Sequence, residues 1–117
     1  MNPYVELEKL NEDHAIKIRE LNHNLLKMWL CIHSVEIVTG IDYSKIVSRS
    51  RKRPIVEARH YLVFTLKQKT YLNINEIGRL AGGLDHSTVL SALKNVDNLC
   101  QSDKAYNQRL QDILKKV

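Results

Sequence analysis

The stretch GGLDHSTVLSALKNV, from Gly82 to Val96, constrains the fold more than any other part of the chain. Two adjacent glycines mark a tight backbone turn. Asp85 follows as a helix N-cap, and Val89, Leu90, Leu93 and Val96 recur at helical spacing. The pattern predicts a helix from Asp85 to about Leu99. Upstream, Asn73 with Glu76 three residues later is a capping-box signal for a short helix, Ile74 to Ala81. A short helix, a glycine turn and a longer helix together describe a helix-turn-helix. In that motif the first residues of the second helix meet base edges in the major groove. Asp85, His86, Ser87 and Thr88 hold that position here. A carboxylate accepts from the cytosine amino group, and a Thr methyl packs on the thymine methyl. Free N–H groups at the helix start can also hold a phosphate. For Asp85, capping and readout are both open, and Ser87 can also serve as a cap. His86 and Thr88 are not needed for capping, which favours readout.

The remaining chain reads as helical throughout. It has 117 residues, enough for one domain, only 2 prolines, and apolar residues spaced by three and four. Asn2-Pro3 is a helix start. Ile18, Leu21, Leu25, Met28, Ile32 and Val35 then form a narrow apolar seam. Asn22-His23-Asn24 is a place where this stretch can break into two helices, and Gly40 reads as its stop. Asp42 can cap a short turn holding Tyr43, Ile46 and Val47. A polar loop, SRSRKRP, runs from Ser48 to Pro54. Pro54 fits the first turn of a helix with Ile55, Ala58, Leu62 and Leu66 on one face, ending near Lys69. A last helix starts near Ser102 and turns Tyr106, Leu110, Ile113 and Leu114 inward. The expectation is an all-α helix-turn-helix bundle of about six helices.

Net charge is +5, and its distribution matters more than its sum. Residues 1–44 hold 4 basic and 7 acidic side chains, residues 45–60 hold 6 and 1, and residues 61–117 hold 8 and 5. The middle segment is a concentrated cationic patch. It reads as a polyanion-binding loop or as a solvated basic loop.

Several classes are disfavoured. No run of about 18 apolar residues occurs, so no membrane span is expected. The start, MNPYVELEKL, lacks the apolar core of a secretory signal. Cys31 and Cys100 are too few for a disulfide scaffold, which points to reduced thiols and the cytoplasm. Asp85, His86 and Ser87 are consecutive, so they diverge around a helix and cannot converge as a catalytic triad. Cys31 and His33 diverge likewise, and no second pair follows at zinc spacing. A core Cys and a surface His are expected, with no metal, no cofactor and no enzymatic activity. His14, His23 and His60 read as surface or packing residues.

The residues quoted above carry a resemblance. LNINEIGRLAGGLDHSTVLSALKNV is similar to the DNA-binding domain IV of the bacterial replication initiator DnaA family, whose signature is close to SLPEIGxxFGGRDHTTVxxAxxKI. Glu76-Ile77-Gly78, Gly82-Gly83, Asp85-His86, Thr88-Val89 and Ala92 match in spacing. VEIVTGIDYSKIVSRSR resembles the family's helix, short turn and basic loop, and ARHYLVFTLKQKT its ARQIAMYLxRELT helix. The match spans about Ile32 to Leu99. It implies a Trp-repressor-like bundle that binds double-stranded DNA at a DnaA-box-like site. It implies base readout by Asp85, His86 and Ser87, beside Thr88, and minor-groove insertion of Arg51, flanked by Arg49 and Arg53. It implies backbone contacts from Arg59, Lys67 and Thr70.

The departures also carry information. Leu84 stands where the family has Arg, Asn75 replaces its Pro, Ala81 its Phe, and Ser87 lacks the Thr methyl. They bear on sequence preference more than on fold. No phosphate-binding G-x-x-x-x-G-K-[ST] loop occurs, so no ATP-driven melting of DNA is expected from this chain itself. The expected organisation is an N-terminal helical extension, 1–28, and a DNA-binding domain, 29–117. The extension either packs on the domain, favoured by Trp29, Leu30 and Ile37, or forms a homodimer. The expected role is replication initiation or its regulation, from a bacterium, a phage or a mobile element. The alternative is a transcriptional regulator or an interaction module that keeps the fold without the readout.

Overall fold

The computed structural model describes the backbone from Pro3 to Val117 and the side chains from Glu12 onward. Among these residues the chain forms six helices and no strand: α1 (Pro3–Thr39), α2 (Tyr43–Ile46), α3 (Arg53–Lys69), α4 (Ile74–Leu80), α5 (His86–Ser102) and α6 (Lys104–Lys115). This is the expected all-α bundle. The expected cap at Asn2 lies outside the described residues.

Local chemistry sets most boundaries. Gly40 takes φ +71° and ends α1. Asn73 and Glu76 close a full capping box on α4. Asp85 caps α5 by accepting the Thr88 N–H at 2.8 Å. Asp103 caps α6 by accepting the Tyr106 N–H at 3.1 Å, so α5 runs on to Ser102 and α6 begins after it. Asp42 occupies the N-cap position of α2, but its side chain makes no capping bond. The Tyr43 N–H is taken instead by the Glu36 carboxylate at 3.0 Å.

Two expectations for α1 fail. It does not break at Asn22-His23-Asn24. Asn24 Oδ1 accepts the Tyr71 N–H at 2.8 Å, and His23 Nε2 lies 3.3 Å from the Lys69 carbonyl. Side chains with partners elsewhere do not compete for their own helix backbone. Nor is the whole seam buried. Val35 is buried and Met28 and Ile32 are half-buried, but Ile18, Leu21 and Leu25 are exposed, as are Leu26, Trp29 and Ile37. A helix of 37 residues is about 55 Å long, and the molecule is only 27 × 26 Å across its short axes. The first half of α1 therefore outruns the bundle. The radius of gyration, 17.3 Å, exceeds the roughly 13 Å of a compact chain this size.

The bundle is built around α3. Its Ala58, Tyr61, Leu62, Val63 and Leu66 are buried against Cys31 and Val35 of α1, Ile77 of α4, Val89, Ala92 and Val96 of α5, and Tyr106, Leu110 and Ile113 of α6. Leu114 packs at the margin. The Tyr61 hydroxyl donates to the Tyr106 carbonyl at 3.0 Å and accepts from Arg109 Nε at 3.1 Å, tying α3 to α6.

Between α4 and α5 the backbone turns under close constraint. Gly82 and Gly83 take φ +112° and +78°. The N–H groups of Gly83 and Leu84 both donate to the Gly78 carbonyl at 2.9 Å. A Cβ on Gly78 would run into the Leu84 carbonyl, and one on Gly82 would lie 2.6 Å from the Val47 oxygen; one on Gly83 would meet nothing within 4 Å. Gly83→Ala should thus cost about 1–2 kcal/mol for its backbone conformation alone. Gly82→Ala should cost distinctly more, because Val47 must also move. Urea unfolding of the two variants checks the order, and equal losses would mean that Val47 yields freely.

The Asp85 cap carries a pH signature. Hydrogen bonding from the Thr88 side chain and backbone holds the carboxyl below the ordinary carboxylate range. A depressed folded-state pKa contributes stability that is complete above the unfolded pKa and is lost as pH falls through the folded one. The difference in melting temperature between wild type and Asp85→Ala should be constant near neutrality and shrink with acidification through the carboxylate range. A difference independent of pH would mean that the charge of the cap is immaterial.

Candidate nucleic-acid interface

The recognition face follows from how α5 is buried. Val89, Ala92 and Val96 point into the core, which leaves His86, Ser87 and Thr88 exposed in its first turn, with Asp85 at the cap. Ser91 and Lys94, four and seven residues beyond Ser87, continue the outward row and are exposed as well. The polar cluster in the sequence ends at Thr88, although the same spacing extends the row. Leu84 is half-buried against the core. The side chain that stands in place of the family's Arg therefore packs instead of projecting.

The basic loop joins this face through its root. Val47 lies against Gly82, and the Tyr43 hydroxyl donates to the Leu80 carbonyl at the end of α4. Beyond Val47 the side chains of Arg49, Arg51, Lys52 and Arg53 are exposed. Among the described residues, Arg49 and Arg51 have no acidic partner, whereas Arg53 Nε contacts Glu57 at 3.2 Å.

Arg59 is placed differently from its neighbours. Its Nε donates to the Ile46 carbonyl at 2.9 Å, and its Nη2 donates to the Ser48 and Ser50 carbonyls at 2.6 and 3.1 Å. Three N–H groups of one planar guanidinium thus hold the end of α2 and the backbone of the basic loop. Sequence could not reveal this positioning role, because the partners are main-chain carbonyls with no residue signature.

Two further candidates lie along α3. Lys67 is exposed. Thr70 is half-buried, and its Oγ1 donates to the Leu66 carbonyl at 2.6 Å and accepts the Leu72 N–H at 3.2 Å, finishing the helix. In the middle of α3, His60 lines a groove with Arg51, Arg53, Asn95 and Asn98. Burial first, and Arg59 second, hold its pKa below the ordinary histidine value. It is accordingly uncharged at neutral pH.

Other chemistry finds no assembled site among the described residues. Cys31 is buried, its thiol faces the Thr65 carbonyl at 3.8 Å, and burial pushes its pKa up to about 11. His33 is exposed and stacks on Trp29. No cluster of three His, Cys, Asp or Glu side chains able to hold a metal ion occurs among the described residues. No helix there is long and apolar enough to cross a membrane.

A family model described as bacterial DnaA protein helix-turn-helix matches residues 30–96. The chain is 40% identical over 77 residues to the chromosomal replication initiator protein DnaA of Flavobacterium psychrophilum, covering 66% of this chain and 16% of that protein. It is 36% identical over 103 residues to the protein of that name from Bacteroides thetaiotaomicron, covering 88% of this chain and 20% of that one. A third, from Borreliella burgdorferi, is 34% identical over 77 residues, covering 66% and 16%. The chain thus spans about a fifth or less of the curated relatives it matches. No solved structure gives a significant match. Because α4, the glycine turn, α5 as far as Val96, the basic loop and the whole of α3 lie inside the matched span, which is more than half of the chain, the protein belongs to the bacterial DnaA helix-turn-helix family.

Proposed function

We propose that this chain binds double-stranded DNA at a DnaA-box-like site, in replication initiation or its regulation. One observation carries the reading. The backbone contact between Val47 and Gly82, with the Arg59 clamp behind the loop, keeps the unpaired Arg49 and Arg51 and the recognition residues on one framework. A framework that presents cations beside polar groups at a helix start suits a duplex, where the loop takes the minor groove and the helix the major groove. In this reading Arg51, Asp85, His86, Ser87 and Thr88 address bases. Arg49, Arg53, Lys67 and Thr70 address the sugar-phosphate strands. Arg59 contributes by holding the loop and, with any donor left free, by touching phosphate itself. The division at about residue 28, between extension and DNA-binding domain, belongs to the same proposal.

The exposed stripe Ile18, Leu21, Leu25 and Trp29 supports one addition, pairing of α1 with α1 of a second copy. Its three- and four-residue steps suit a helix seam, and Lys17, Arg19 and Glu20 beside it supply both charge signs. Leu25→Glu should turn a concentration-dependent dimer into a monomer in sedimentation. A wild type that is monomeric at every concentration removes the addition.

The main proposal is tested by competition among duplexes carrying single base changes, at one fixed salt concentration. Arg51→Ala should weaken binding by about 1–3 kcal/mol. His86→Ala should reduce discrimination more than affinity, because the phosphate contacts remain. Leu84→Arg should raise affinity, because a charge returns beside the base readers. Equal competition by scrambled duplexes would sink base readout and leave an interaction module as the better account.

A further inference from the structure

We propose that α1 is a working part of the DNA-binding face: His23 and Asn24 are positioning residues for the loop between α3 and α4. The loop comprises Thr70 to Asn73. It separates Lys67 from the helix-turn-helix and sets where α4 begins. Thr70 secures one end of it by bonds to Leu66 and Leu72, and the Asn73 capping box secures the other. Tyr71, in between, is 69% exposed. Its N–H finds an acceptor 47 positions away, Asn24 Oδ1 at 2.8 Å. The His23 ring lies 4.9 Å from the Tyr71 ring, and its Nε2 is 3.3 Å from the Lys69 carbonyl. One turn of α1 thus touches the last residue of α3 and the middle of the loop. On the adjoining side, Leu21, Leu25 and Met28 of α1 face Leu72 and Leu80 across a groove whose polar lining includes Glu76 and Arg79.

The consequence follows from how tightly the next elements are joined. Gly78 of α4 has no room for a Cβ against Leu84 and Val89, so a tilt of α4 is passed on to the start of α5. The core contacts of α3 with α4 and α5 fix their general placement, and a loop free to move would still let the end of α3, with Lys67, shift against the start of α4. A contact that fixes the loop fixes their spacing, and a duplex requires phosphate and base contacts in register. His23 and Asn24 precede the family-matched span, residues 30–96. The contact thus lies outside the helix-turn-helix that the family model describes.

This inference rests on the DNA-binding reading, and the test separates the two. Wild type, Asn24→Ala and Asn24→Asp, each as the full chain, are titrated with a DnaA-box duplex in rising salt, and exchange of the Tyr71 amide is followed by NMR. Loss of the acceptor in Asn24→Ala should speed that exchange and weaken binding about threefold to tenfold, as expected for one hydrogen bond. The salt slope should become shallower by about one unit as the Lys67 phosphate contact is lost. Preference among base pairs should persist. Asn24→Asp keeps the acceptor, and should restore protection and slope. If Asn24→Ala folds poorly, His23→Ala, which leaves the Tyr71 bond intact, should show the same change in slope to a smaller extent. A rapidly exchanging Tyr71 amide with unchanged affinity and slope overturns the inference, as does a loss that Asp does not rescue. A wild type without salt-dependent binding overturns the DNA-binding reading first, and this inference with it.

Discussion

Everything that makes this bundle a candidate reader of DNA depends on one close backbone approach. Gly82, at a positive φ that ordinary side chains rarely adopt, lies against the carbonyl of Val47, where a Cβ would come within 2.6 Å. The contact joins two stretches that are 35 positions apart in the chain. One is the root of the cationic loop, and the other is the turn that launches the recognition helix. Gly78 makes a similar demand inside the motif, where its carbonyl takes two turn N–H groups and its α-carbon faces the Leu84 oxygen. Packing this close works through repulsion as much as attraction. It leaves few alternative angles between α4, α5 and the loop.

At the start of α5, capping does not use up the Asp85 carboxylate. One Asp85 oxygen accepts the Thr88 N–H and so satisfies a donor that the first turn leaves free. A carboxylate has about four lone-pair positions, so the second oxygen stays available in an exposed site. The bond also holds the side chain in one orientation, which lowers the entropy lost on meeting a base. Arg59 illustrates the opposite case. A residue that resemblance places on phosphate is occupied with three main-chain carbonyls, one at the end of α2 and two in the basic loop. Its positive charge still adds to the field around the loop, while its geometry serves the loop backbone.

The departures from the family signature sort by environment. Leu84 exchanges a cation for apolar packing at the edge of the core. Asn75 and Ser87 are exposed, so neither alters the bundle. Ala81 is buried at the C-cap of α4, next to Gly82, where a small side chain suits the crowding around Val47. The fold therefore tolerates these changes, and any shift in preferred sequence must arise on the outward rows of α5 and in the loop.

Sequence by itself determined the elements. Helix starts at Asn73 and Asp85, stops and turns at Gly40, Gly82 and Gly83, and the inward stripes of α3, α5 and α6 depend on residues at most four apart. Their signals are local hydrogen bonds and helical periodicity. The candidate site residues at the start of α5 were legible for the same reason, since a polar cluster at a helix start is a local pattern. Tertiary structure alone decided what those patterns could not encode. The unbroken α1 depends on Asn24 meeting the loop after α3, 47 residues away, and His23 meeting the last residue of α3, 46 residues away. The exposure of Ile18, Leu21 and Leu25 depends on where the bundle behind α1 ends. The task of Arg59 depends on carbonyls that belong to no residue type. In each case the side chain chose between partners separated along the chain, and only the folded packing brought one of them within reach.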